Sequence, residues 1–195
     1  MRAFLINLFL TLWLGLLTAA AIQSHRPADW SKVQGLDPVG KGGVPNLMER
    51  MEQTVFRRNA PMEISEADIN HYLAREITGT QNGLSKSKVK FDTLALHFEK
   101  DLCQACFSWR SGNSKPITAS LNFTVSRKGE NFVIEPQSGT YGRLPVYRGF
   151  FCTLTPALTS LCDALNNEIH TVFEMNQIRF EKNKLVLDPR SESAK

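Results

Sequence analysis

The chain has 195 residues, with 23 Lys and Arg against 19 Asp and Glu, so its formal net charge is +4. The basic residues are scattered without a block of like charge, which argues against nucleic acid as a partner, since that needs a concentrated basic face. About 170 residues follow the N-terminal apolar segment, a length that accommodates one domain with a substantial core.

The N-terminal segment is a nearly continuous apolar run over residues 3–22, preceded by Arg2. A run of this length can span a bilayer as a helix, or it can act as a secretory signal. Small residues allow cleavage after Ala21, which would give a secreted protein. The length of the run and its start almost at the initiator favour an uncleaved transmembrane anchor instead.

The side of the membrane follows less directly from the flanking charges. Arg26, Lys32 and Lys41 follow the apolar run, against Arg2 before it, and a strict count of cations favours a cytoplasmic domain. Large domains, however, translocate largely regardless of such charges. We therefore expect an extracytoplasmic domain on the periplasmic side, in contact with the membrane through its N-terminal helix.

The chain divides by composition into four segments. Residues 1–23 form the anchor or signal, and residues 24–43 are a polar linker rich in Gly with two prolines. Residues 44–190 form a single α+β domain, and residues 191–195 are a disordered tail.

Two helices are predicted to open the domain. The first begins at Pro45, and the apolar residues that follow it recur at helical spacing. The second has Ser65 as its N-cap and Asp68 at its third position, and Gly79 ends it. Asn70 lies off the apolar stripe of this second helix.

The hydrophobic period changes to two from Val89 onward, which predicts a four-stranded antiparallel meander with one apolar face. A slip in the alternation near Thr93 predicts a β-bulge. A long amphipathic helix is predicted from Thr155, and a hairpin with its turn at 182–183 closes the domain. The fold class is thus α+β.

The four cysteines leave their pairing open. Cys103 and Cys106 would point to opposite faces of a regular strand, and Cys152 and Cys162 would lie nearly three turns apart on a helix. Either buried free thiols or one strand-to-helix disulfide is the expectation. The spacings do not match a zinc site or a thioredoxin-type motif.

No spacing of His, Cys, Asp or Glu predicts a metal site, a cofactor or a catalytic residue. An enzyme would need titratable groups to converge from distant positions, and the sequence pattern does not predict this. The convergence would involve His97, His170, Asp101 or Glu99.

The apolar face of the meander and the long helix together predict either a closed core or a cavity for an acyl chain. The candidate lining residues are Phe91, Leu96, Phe107, Trp109, Phe123, Phe150 and Phe151. A tether to the membrane favours lipid as the ligand, because lipid would then be adjacent.

Three segments resemble the YpmS-like group of membrane-anchored extracytoplasmic proteins, which are similar to tubular lipid-binding folds. They are Ile64-Ser-Glu-Ala-Asp-Ile-Asn-His-Tyr-Leu73, Gly142-Arg-Leu-Pro-Val146, and the closing hairpin from Ile178-Arg-Phe to Leu185-Val-Leu187. The chain departs from the group in its four cysteines and in lacking a proline soon after Val146. The resemblance implies an α+β domain that is held outside the membrane and binds lipid, with no known catalytic residues to carry over. It points to Asn70, Gly142, Arg143, Leu144 and Pro145 as functional or structural positions.

The resulting expectation is a membrane-tethered, non-enzymatic domain that binds lipid or another apolar ligand. The alternative is a protein-interaction module in a cell-envelope assembly, which would use the polar face or an edge of the sheet to bind an envelope protein.

Overall fold

The structure is a computed structural model that describes residues 2–36, 46–80, 89–111, 115–129, 131–147 and 155–190. These ranges contain five helices and eight strands, which confirms the mixed helix-and-sheet composition. Residues 37–43 of the predicted linker and the predicted tail, 191–195, lie outside the described residues.

The first helix, α1 (Arg2–His25), is exposed along its length. Its segment Phe4–His25 is long and apolar enough to cross a membrane, and none of that segment is buried inside the protein. Such a helix is compatible with either a membrane anchor or a signal sequence, because both are long apolar helices near an N-terminus.

The domain begins with two helices separated by a short strand: α2 (Leu47–Arg57), β1 (Met62–Ser65) and α3 (Glu66–Thr80). The Ser65 hydroxyl accepts a hydrogen bond from the Asp68 amide at 3.1 Å, which confirms the predicted cap. The helix extends through Gly79 to Thr80, so Gly79 does not end it. The sequence pattern does not predict β1, because its four residues run directly into a helix and are too few to show the alternation of a strand.

The remaining elements complete two antiparallel sheets and a helical layer. They are β2 (Val89–Glu99), β3 (Leu102–Ser111), β4 (Ile117–Lys128), β5 (Asn131–Tyr141), β6 (Leu144–Val146), α4 (Thr155–Ala164), α5 (Asn166–Phe173), β7 (Gln177–Glu181) and β8 (Lys184–Asp188). One sheet has the order β2-β3-β4-β5-β6, and the other has the order β1-β8-β7. The predicted closing hairpin is therefore correct, but a third strand joins it.

The meander has five strands instead of the predicted four. The second resembling motif, Gly142 to Val146, turns at Gly142 and adds β6 alongside β5. Pro145 lacks an amide hydrogen, so it cannot donate a hydrogen bond to a neighbouring strand. A short edge strand tolerates this, because a strand pairs with it on one side only. The predicted bulge near Thr93 is confirmed by a shift in the β2–β3 register between Phe91 and Thr93.

The predicted long helix is divided into α4 and α5 at Leu165. Its backbone there adopts φ −107° and ψ 24°, outside the helical region. Leu165 still donates to the Leu161 carbonyl and accepts from Ile169, both at 3.0 Å, so the apolar spacing continues across the bend. The following Asn166 and Asn167 have low helix propensity, which favours a bend at this point.

One main core lies between the inner face of the five-stranded sheet, the helices and the smaller sheet. Phe180 of β7 joins the layers, with its ring centroid 5.6 Å from that of Phe98 and 6.2 Å from that of Phe123. A second, smaller cluster on the other side of β2 and β3 contains Val33, Ala95 and Cys106.

The segment after α1 lies against the domain in its described part, 26–36. The Gln34 amide donates to the Glu66 carboxylate at 2.8 Å, and Val33 is buried. At its start, the Gln23 carbonyl accepts from the Arg143 amide at 3.0 Å. The first half of the predicted polar linker thus makes specific contacts with the domain.

Candidate functional site

An apolar cavity of about 400 Å³ lies between α2, α3, the α4–α5 bend and the inner faces of both sheets. We call it the apolar cavity. Its volume falls within the range of small-molecule sites in proteins, roughly 300–1,000 Å³. Its sheet side is formed by aromatic and aliphatic side chains that include Phe98, Phe123, Val125 and Phe180. The site therefore favours an apolar ligand, since the burial of apolar surface drives such binding.

The polar lining residues lie on the helical side of the apolar cavity. The Tyr72 hydroxyl of α3 donates a hydrogen bond to the Glu168 carboxylate of α5 at 2.7 Å. Burial and then this hydrogen bond raise the pKa of Tyr72, so the hydroxyl keeps its proton at neutral pH. Asp163 and Asn166 flank the bend and are exposed to solvent.

Two of the seven predicted lining residues, Leu96 and Phe123, line the apolar cavity. Phe91, Phe107 and Trp109 are buried in the same core but are not among the described lining residues. The ring of Trp109 instead contacts those of Phe107 and Tyr141, with centroids 5.6 Å and 6.0 Å away. The predicted lining residues Phe150 and Phe151 lie outside the described residues.

Asn70 of the resembling motif is bonded to the main chain through every polar atom of its side chain. Its amide nitrogen donates to the carbonyls of Gln34 at 2.6 Å and Leu96 at 2.8 Å, and its oxygen accepts from the Leu96 amide at 2.7 Å. Both of its amide protons are used, so Asn70 has no donor left for a ligand.

The second resembling motif forms the turn that contacts the end of α1. Gly142 has a φ of 59°, and a side chain there would collide with the carbonyl oxygens of Ser24 and Arg26. The Arg143 guanidinium donates to the Pro27 carbonyl at 3.0 Å. Leu144 and Pro145 continue into β6. Gly142 and Arg143 thus contact the end of α1 and the segment that follows it.

Sequence reasoning missed a buried carboxylate at Glu66. It is fully buried and accepts from the Phe98 amide at 2.9 Å, and His97 Nδ1 lies 3.0 Å from its oxygens. The helix dipole by itself accounts for acidic residues in the first turn of α3, so the sequence offers no reason to assign Glu66 a further role. The signal that Glu66 also binds the edge of β2 is absent from local sequence, because His97 and Phe98 lie more than 30 residues away.

The described cysteines are free thiols. Cys103 lies in the main core and lines the apolar cavity, whereas Cys106 lies in the smaller cluster, so the two point to opposite faces as predicted. Burial raises the pKa of both thiols, to about 12 for Cys106. Cys162 is exposed beside the cavity. Cys152 lies outside the described residues.

The described residues contain no group of three or more His, Cys, Asp or Glu side chains that could hold a metal ion. Of the residues that an enzyme would require, His97 Nε2 lies 3.9 Å from Glu99, and His170 pairs with Glu174 at 3.2 Å. The two pairs are separate from each other. None of the side chains in the His97–Glu99 and His170–Glu174 pairs lines the apolar cavity.

No protein-family profile matches the chain, and no curated protein sequence matches it significantly. The resemblance to the YpmS-like group therefore stays a prediction from three short motifs. The case for function depends on the geometry of the apolar cavity.

Proposed function

We propose that this protein is a membrane-tethered, non-enzymatic domain on the periplasmic side that binds a lipid or another apolar ligand in the apolar cavity. The observation that carries this proposal is the cavity itself, about 400 Å³ in volume and lined mainly by hydrophobic side chains. Its size and apolar lining match the usual character of ligand sites.

The energetics favour an apolar occupant. Each methylene group transferred from water to the cavity contributes about 0.8 kcal/mol, so a few methylenes give useful affinity. An empty apolar volume in a core forfeits the dispersion contacts of the side chains that line it. An acyl chain would restore those contacts with Phe123, Val125 and Phe180 on the sheet side.

The helix α1 supports lipid as the occupant, because an uncleaved anchor holds the domain beside a bilayer. Its exposed apolar surface has no partner in the described part of the domain. If the leader is cleaved after Ala21, the same cavity would serve a secreted carrier.

The test is mass spectrometry of the full-length chain, extracted gently from membranes, with the variants Val125→Trp and Val133→Trp. Val125 lines the cavity. On the adjacent strand, Ile134 pairs with Val125, and Val133 is the residue before Ile134. Successive side chains of a strand point to opposite faces, so the Val133 side chain faces the other side of the sheet. We expect a co-purified lipid mass in the wild type and Val133→Trp, and its loss in Val125→Trp.

A ligand-free mass in all three proteins would overturn the proposal. If a stoichiometric membrane protein then co-purified, the alternative of an envelope interaction module would be favoured. The outer face of the sheet fits that role, since it carries uncharged polar side chains that bond across strands. An exposed example is Asn122 with Ser138 at 2.9 Å.

A further inference from the structure

We propose that the apolar cavity selects a single-chain amphiphile whose head group donates hydrogen bonds and carries no negative charge. This inference rests on the proposed function and adds the class of head group. It follows from where the polar lining residues lie, from their charge, and from which hydrogen-bonding groups are already occupied.

The polar end of the cavity fixes where a head group would lie. Apart from the thiols, the polar lining residues among those described are Tyr72, Asp163, Asn166 and Glu168, all on the helical side. Asp163 and Asn166 are exposed, whereas Phe98 and Phe123 on the sheet side are buried or partly buried. The acyl chain would therefore lie against the sheet, with its head at the α4–α5 bend.

The charge at this end is negative. Asp163 and Glu168 are the charged lining residues, and none of the described lining residues is Lys, Arg or His. Ionised carboxylates only accept hydrogen bonds, so they favour hydroxyl or ammonium groups. A carboxylate or phosphate head would meet like charge in a partly desolvated site, where repulsion is stronger than in water.

Two groups near this end that could bind an anion, the Tyr72 hydroxyl and the Arg75 guanidinium, already have partners. The Tyr72 hydroxyl donates a hydrogen bond to the Glu168 carboxylate at 2.7 Å. Nearby, the Arg75 guanidinium lies 5.6 Å from the centre of the Tyr72 ring and 3.7 Å from the Glu76 carboxylate. An anionic head would have to break these contacts before it gained Tyr72 or Arg75 as a partner.

The experiment uses the full-length chain in phosphatidylcholine nanodiscs with two photoactivatable probes of identical chain, an oleoylglycerol analogue and an oleate analogue. The yield of each probe on α3 and α5 peptides gives a preference ratio. Comparing that ratio between variants cancels the different partitioning of the probes into the bilayer. The variant Glu168→Gln removes charge but keeps an acceptor for Tyr72. Glu174→Gln makes the same change outside the cavity lining.

We expect the ratio of oleoylglycerol to oleate labelling to fall about tenfold below its wild-type value when Glu168→Gln is combined with Asp163→Asn. Glu174→Gln should leave the ratio unchanged. An unchanged ratio in the double variant, or a ratio that rises, would overturn the inference while leaving cavity binding intact. Loss of oleate labelling in Arg75→Gln would also overturn it, by placing the head group at Arg75. Absence of labelling by both probes would instead contradict the proposed function.

Discussion

The amide of Asn70 takes the place of a neighbouring strand at the edge of the five-stranded sheet. It bonds both the amide and the carbonyl of Leu96 on β2, and it also holds the Gln34 carbonyl. Glu66, one helical turn earlier, does the same for the Phe98 amide. These side chains satisfy backbone groups that an edge strand otherwise leaves without a partner.

Asn70→Ala should destabilise the protein by about 2–4 kcal/mol, because three partly buried hydrogen bonds to the main chain would be lost at once. His71→Ala, at the next position on α3, is the matched control and should cost less than about 0.5 kcal/mol. Urea unfolding of the full-length chain in nanodiscs, followed by tryptophan fluorescence, measures both changes. Equal stability of the two variants would show that the Asn70 hydrogen bonds contribute little.

The sequence marked Asn70 as unusual but could not identify its partners. Asn70 departs from the apolar stripe of its helix, which is visible locally. The groups that it bonds lie 26 and 36 residues away, and no local pattern encodes such separations. A ligand role and a structural role therefore remained equally good interpretations until the main-chain contacts were seen.

Among the secondary-structure elements, β6 and the α4–α5 bend differ most from expectation. The strand β6 has three residues and contains Pro145, so its sequence pattern does not predict a strand. The bend at Leu165 leaves the helical spacing of Leu161 and Ile169 intact, so periodicity could not reveal it. The bulge near Thr93, in contrast, shifts the alternation itself and was predictable.

Gly142→Ala should separate the end of α1 from the β5–β6 turn. A methyl group at this position meets the carbonyl oxygens of Ser24 and Arg26, which belong to the backbone and cannot rotate away. We expect hydrogen exchange at the Arg143 amide, which donates to Gln23, to accelerate at least tenfold. Mass-spectrometric exchange on peptides that contain Arg143 measures this.

Gly129→Ala is the matched control for this prediction. Gly129 also has a positive φ, 67°, but a side chain there meets nothing within 4 Å. It carries the same backbone strain without the collision. If both variants accelerated exchange at Arg143 equally, a general loss of stability from a side chain at positive φ, and not the collision with α1, would explain the effect.

On the scale of the whole molecule, the contact between α1 and the sheet and the apolar cavity lie at different positions along the strands. The end of α1 contacts the row of Thr118 and Gly142, where the Gly142 amide donates to the Thr118 carbonyl. Phe123 of the cavity follows Thr118 by five residues on β4, about 16 Å further along the strand. The contact with α1 and the part of the cavity at Phe123 are therefore separate regions of the five-stranded sheet.

The distribution of thiols provides a further test of the packing. In a Cys152→Ser background, we expect maleimide to modify one thiol in the folded chain, Cys162, and three after unfolding. Cys103 and Cys106 are buried, and burial raises their pKa, so little reactive thiolate forms. Intact-mass measurement counts the modified thiols. Rapid modification of Cys103 in the folded chain would contradict the burial of its thiol.

Local pattern by itself determined the apolar N-terminal helix, the α+β class, the Ser65 cap, most of the meander and the closing hairpin. Each of these depends on residues that are neighbours in sequence, such as apolar periodicity, turn residues and caps. Only the tertiary structure decided that Leu96 and Phe123 face a cavity while Phe107 and Trp109 are packed in the core. The two pairs have the same alternation and similar hydrophobicity, and what distinguishes them is which distant helix or strand lies opposite.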